Sequence, residues 1–133
     1  MKKTLLFTVT AATLIFGNAA QAAPLSPAEQ TDLVGLVSTA GATVYLAEYC
    51  NMPGAKQTAI KNKVKDIRAF GVQHVRADYL DGAYRTAQGE ARARSAATPR
   101  DVECAPTATH YLAEQFANQA DSKIAGWKAT LAK

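Results

Sequence analysis

YLAEQFANQADSKIAGWKATL, residues 111 to 131, carries the clearest periodic pattern in the chain. Leu112, Phe116, Ala120, Ile124, Trp127 and Leu131 fall at steps of three or four, which gathers them on one face of an α-helix. Upstream, Thr98-Pro99-Arg100-Asp101 has the form of a helix start, with a hydroxyl before proline and an acid at the third position; Pro106 offers a later start for the main helix. Between the two lies Cys104, one of only two cysteines.

The other cysteine closes a second helical pattern. Leu25-Ser26-Pro27-Ala28-Glu29 sets a hydroxyl before a proline and a glutamate three residues on, the signature of a capping box. Leu33, Val37, Ala40, Val44 and Ala47 follow at helical spacing, and Leu36, Ala40, Thr43, Ala47 and Cys50 form an adjacent row, so this helix is expected to be buried over a broad face. Its uncharged run from Leu33 to Ala47 is short for a bilayer and is broken by Gly35, Ser38, Thr39, Gly41 and Thr43, which suits a core helix better. Its Val and Thr content keeps a strand as an alternative. Asn51-Met52-Pro53-Gly54 then ends the helix, because proline cannot continue the hydrogen-bond ladder and glycine favours a turn.

Two further helices are expected between these. Ile60, Val64, Ile67 and Gly71 mark the inner stripe of the first, and Lys56, Lys61, Lys63, Lys65 and Arg68 clothe its other faces. After Gly71, the residues Val72, Val75, Tyr79, Gly82 and Thr86 continue at helical spacing toward Ser95, with Asp81 and Arg85, and Glu90 and Arg94, spaced for i to i+4 pairs. The fold class expected is all-α, a four-helix bundle in up-down-up-down order. That order brings the end of the first helix and the start of the fourth to one pole, where Cys50 and Cys104 lie. An unbroken helix from Ala55 to Ser95 would run about 60 Å and separate them, so a reversal is expected at or beside Gly71. A positive φ at Gly71 would make Gly71→Ala costly.

The N-terminus indicates where such a bond could form. Met1-Lys2-Lys3, the apolar run from Leu5 to Phe16 and Ala20-Gln21-Ala22 together read as a secretory signal peptide over residues 1–22, cleaved before Ala23. The run is too short for a membrane anchor, and no cysteine at the cleavage region indicates a lipid-modified terminus. Residues 23–133 form one domain, periplasmic or secreted. Without Lys2 and Lys3 it holds 13 basic and 11 acidic residues, a formal charge of +2, and neither that charge nor that compartment suits a nucleic-acid partner. In an oxidising space the Cys50 and Cys104 pair is expected as a disulfide. Zinc would need more ligands, and neither His74 nor His110 sits with a cysteine at ligand spacing, so no metal or other cofactor is expected.

No motif names a ligand, partner or reaction. No Ser-His-acid or Cys-His-acid set assembles, no glycine-rich phosphate loop is present, and a disulfide would occupy the obvious nucleophile. His74 and Asp78 are spaced to pair on a helix, a common surface arrangement, and His110 is expected in a structural or surface role. No catalytic residue is assigned. The candidate binding surface is Lys61, Lys65, Arg68, Tyr79 and Tyr84. The three cations share one helical face that could attract an anionic envelope surface such as lipid or lipopolysaccharide, and tyrosine joins an apolar body to a polar tip. The plainer alternatives are a solvated basic face and tyrosines that fill the core and its rim.

Cys50, Tyr79-Leu80-Asp81-Gly82 and Cys104-Ala105-Pro106 followed by an amphipathic helix resemble the pattern of small periplasmic type VI secretion immunity proteins of the Rap kind, over about the last two thirds of the mature chain. The resemblance implies a helical protein that binds and blocks a toxin delivered to the periplasm. The expectation is thus an exported periplasmic interaction protein without catalytic activity; a periplasmic stress chaperone, an envelope-surface module and a small hydrolase are the alternatives.

Overall fold

The computed structural model describes residues 25–133; the expected signal peptide, residues 1–22, lies outside them. The described chain forms five helices, α1 (Pro27–Tyr49), α2 (Gly54–Gly71), α3 (Ala77–Ala97), α4 (Arg100–Glu103) and α5 (Pro106–Leu131), with no strand among them. The long helices alternate in direction as expected, so the fold is all-α. The helix count is five rather than four. Pro99 and Pro106 explain the extra turn: each supplies the fixed φ that suits a helix start, and the first start lasts four residues before the chain breaks at Cys104 and Ala105. Pro99, not Thr98, occupies the position before α4, and no side chain caps it.

α1 begins with the capping box its sequence promised. Ser26 Oγ accepts from the Glu29 backbone N–H at 3.2 Å, and the Glu29 carboxylate accepts from the Ser26 N–H at 2.9 Å. Both rows of α1 are interior: Leu33, Leu36, Val37, Ala40, Thr43, Val44 and Ala47 are buried. This helix is central because α2, α3 and α5 all pack on it, α3 most extensively. The intimacy with α3 has a local cause at Gly41, where a Cβ would lie only 3.2 to 3.3 Å from the carbonyl carbon and Cα of Tyr84. A side chain there would hold the two backbones apart.

The reversal near Gly71 is present, but its cause differs from the one anticipated. Gly71 is the last residue of α2 and its φ is not in the left-handed region. It is small for packing: a Cβ would come within 2.9 Å of Leu80 Cδ1 and 3.7 Å of both Leu33 methyls. Among the described residues, the non-glycine residue in the left-handed region is Asn51, φ 50°, in the turn after α1, a conformation asparagine tolerates better than most.

The inner face of α3 is also corrected. Leu80, Ala91 and Ser95 are buried and Tyr84 is half-buried, whereas Tyr79 is 57% exposed and Thr86 faces solvent. The helix starts only at Ala77, so Val72 and Val75 belong to the preceding turn and cannot set its register. Of the paired charges expected along α3, Asp81 reaches Arg68 of α2 instead, and Arg94 lies 3.9 Å from Glu103 of α4. On α5, Phe116, Ala120 and Trp127 are buried, Ile124 and Leu131 pack at the core edge, and Leu112 is exposed. Cys50 and Cys104 form a disulfide, with Cα atoms 5.3 Å apart, joining the end of α1 to the turn before α5. No described helix is long and apolar enough to cross a membrane.

Candidate functional site

The basic face of α2 is largely answered by its neighbours. Lys61 reaches Glu48 of α1 at 3.4 Å, and Lys63 pairs with Asp121 of α5. Arg68 makes two parallel bonds to Asp81, Nε to Oδ1 at 3.0 Å and Nη2 to Oδ2 at 3.1 Å. Those bonds hold the Asp81 carboxyl below its ordinary range, the hydrogen bonding to Arg68 dominating. Lys56 contacts the His110 ring. Lys65 is exposed and has no ion pair among the described residues.

The candidate residues do not converge. Arg68 and Tyr84 meet at an apolar recess of about 150 Å³ that Val37, Val64, Ile67 and Leu80 also line. Burial pushes the Tyr84 hydroxyl above its ordinary pKa, with a smaller contribution from Glu48. Tyr79 projects from another face of α3, beside a shallow depression against α1 that includes Val34, Ser38 and Glu90. Lys61 and Lys65 line neither. His74 and Asp78 do not pair: the Asp78 carboxylate accepts from Arg76, Nη2 to Oδ2 at 2.8 Å, while His74 is buried beside Phe70.

Two surfaces were missed. One lies at the disulfide pole, where Val102 of α4 and Tyr111 of α5 are each 61% exposed and Leu112 follows at 44%. The pattern did contain a signal, since Val102 lies outside every apolar row and Tyr111 falls beside the α5 stripe rather than on it. The other is a cleft of about 870 Å³ between α2 and α5, lined by Phe70, His74, Ile124, Lys128 and Leu131 among others. Trp127 stacks on Phe70 behind it, ring centroids 5.9 Å apart and 11° from parallel, and the His74 ring lies 4.8 Å from the Phe70 ring. His74 Nε2 is buried without a hydrogen-bond partner, and burial lowers the histidine's pKa. Phe70 and His74 are four residues apart, the only hint of this wall in the sequence.

No family model, curated protein or solved structure matched the chain. The residues that carry the resemblance to immunity proteins have structural work in this chain: Leu80 is core, Asp81 pairs with Arg68, Cys104 is bridged, and Pro106 opens α5.

Proposed function

We propose that the chain is an exported, non-catalytic interaction protein whose partner is another protein, and that neutralising a toxin delivered to the periplasm is the most concrete form of that role. The observation that carries the binding role is the trio Val102, Tyr111 and Leu112. Large apolar side chains left this exposed raise the free energy of the isolated domain in water, and burial under a partner would recover it. Val102 stands two residues before Cys104, so the disulfide restrains the backbone that presents it, while Tyr111 and Leu112 stand about two turns beyond Cys104 on α5. Such restraint favours association, because less conformational freedom remains to be lost on binding.

Export is supported by the N-terminal pattern and is compatible with the Cys50–Cys104 bond. The toxin partner rests on the resemblance given above. The pairing of Lys61, Lys63 and Arg68 with carboxylates makes the basic face of α2 a weaker magnet for an anionic envelope surface than its composition suggests.

The test is affinity capture from envelope extract with the mature protein as bait, beside the double variant Val102→Glu and Leu112→Glu. The proposal expects one stoichiometric protein partner that the folded double variant fails to hold, with growth protection against that partner if it is a toxin. Equal capture by both baits would remove the disulfide pole from the account. Turnover of a small molecule by the purified protein would contradict the non-catalytic role.

A further inference from the structure

α2 and α3 both pack on α1 but touch each other little. Between them lies the apolar recess of about 150 Å³. Val37 and Ala40 of α1 form its floor, Val64 and Ile67 of α2 one wall, and Leu80 and Tyr84 of α3 the other. Ala40, Ile67 and Leu80 are each 1% exposed, so the recess reaches the deepest part of the core. Arg68 and Asp81 complete the lining, and their two parallel bonds tie α2 to α3 across the gap. Arg68 is exposed and Asp81 half-buried, so this pair marks the side that opens to solvent.

The chemistry of the lining narrows what can occupy the space. Apart from Arg68, Asp81 and the Tyr84 hydroxyl, every lining side chain is a hydrocarbon, which leaves a water inside with few polar partners. An empty recess forfeits the dispersion contacts its walls would otherwise make, and an apolar occupant restores them. A cavity of about 150 Å³ walled by aliphatic side chains is large enough for one benzene-sized molecule. Charged ligands are disfavoured because Arg68 and Asp81 already answer each other. A carboxylate brought to the mouth meets Asp81 as a like charge, and an ammonium meets Arg68.

We propose that this recess binds one uncharged, apolar molecule of single-ring size, which passes the Arg68–Asp81 pair and lies against Ala40, Ile67 and Leu80. Ion pairs near the surface are held weakly, so the two side chains can part and rejoin while the helices beneath stay packed. The site shares no residue with the disulfide pole, and its occupancy is independent of the protein partner proposed above.

Toluene is the probe, and the methyl resonances of isotope-labelled mature protein are the readout. Titration should give a saturable shift centred on Val37, Val64, Ile67 and Leu80, at one ligand per chain. Naphthalene, benzoate and benzylammonium should each bind at least about tenfold more weakly, the first because overpacking a fitted site readily costs that factor and the other two because a charge must leave water. Val64→Phe should abolish saturation by filling the recess, with circular dichroism showing the helices intact, whereas Leu112→Ala at the disulfide pole should leave toluene affinity unchanged. N-acetylphenylalaninamide, which carries the same ring on a peptide backbone, should bind more weakly than toluene; tighter binding would overturn a free molecule as the occupant. A non-saturating response of the native protein, equal affinity for toluene and naphthalene, or saturation that persists in folded Val64→Phe would each overturn the proposal.

Discussion

A methyl group added at Gly41 would meet the backbone of Tyr84, whereas one added at Gly71 would meet the end of the Leu80 side chain. Backbone cannot rotate aside and a leucine methyl can. Gly41→Ala should therefore cost about 1 to 3 kcal/mol as an overpacked contact. Gly71→Ala should cost less, because the Leu80 methyl it meets can shift aside. Urea unfolding of the two variants checks the order, and a larger loss at position 71 would contradict the packing described. His74 makes a second prediction. Its folded pKa lies below the ordinary value, so from neutral pH downward through about 6.5 the unfolded chain takes up a proton that the folded chain resists. Stability should fall as pH drops through that window, by at most about 1.4 kcal/mol per pH unit from this residue. His74→Phe should flatten the fall, measured as melting temperature at neutral pH and at pH 5; an unchanged slope would place its origin elsewhere.

At the scale of elements, legibility followed the contrast between faces. The capping box of α1 could be read because Ser26 and Glu29 act within one turn, with no help from the rest of the fold. Ser26→Ala should cost about 1 kcal/mol, seen as a lower melting temperature. The stripe of α5 was legible because Phe116 and Trp127 stand out among polar neighbours, and the broad burial of α1 because charges are absent from Leu33 to Ala47. α3 misled because alanine and glycine occupy both its faces. Carrying the apolar spacing of Val72 and Val75 across a turn then put Tyr79 inside, although Leu80 is the buried neighbour. Leu80→Ala should cost about 2 to 5 kcal/mol while Tyr79→Ala stays near zero, a contrast that denaturant midpoints would display.

For the whole molecule, alternation of helices and one bond between distant cysteines were enough to place the poles. The cleft was not legible in the same way, because it depends on how α5 packs against α2, a tertiary relation with no period in the sequence. The binding surface suffered for a related reason. Lys61 and Arg68 looked free along their own helix, yet the acids that answer them, Glu48 and Asp81, come from α1 and α3. The Cys50–Cys104 bond closes 54 residues of chain. In the chain-entropy account such a loop stabilises by up to about 4 kcal/mol, a large share of what a domain of this size possesses. The proposed export and the disulfide are tested together by the covalent state of the protein, which a non-reducing peptide map of the periplasmic fraction reads in one measurement. Together they predict a chain beginning at Ala23 with the Cys50 and Cys104 peptides joined; two free thiols, or a chain still beginning at Met1, would contradict them.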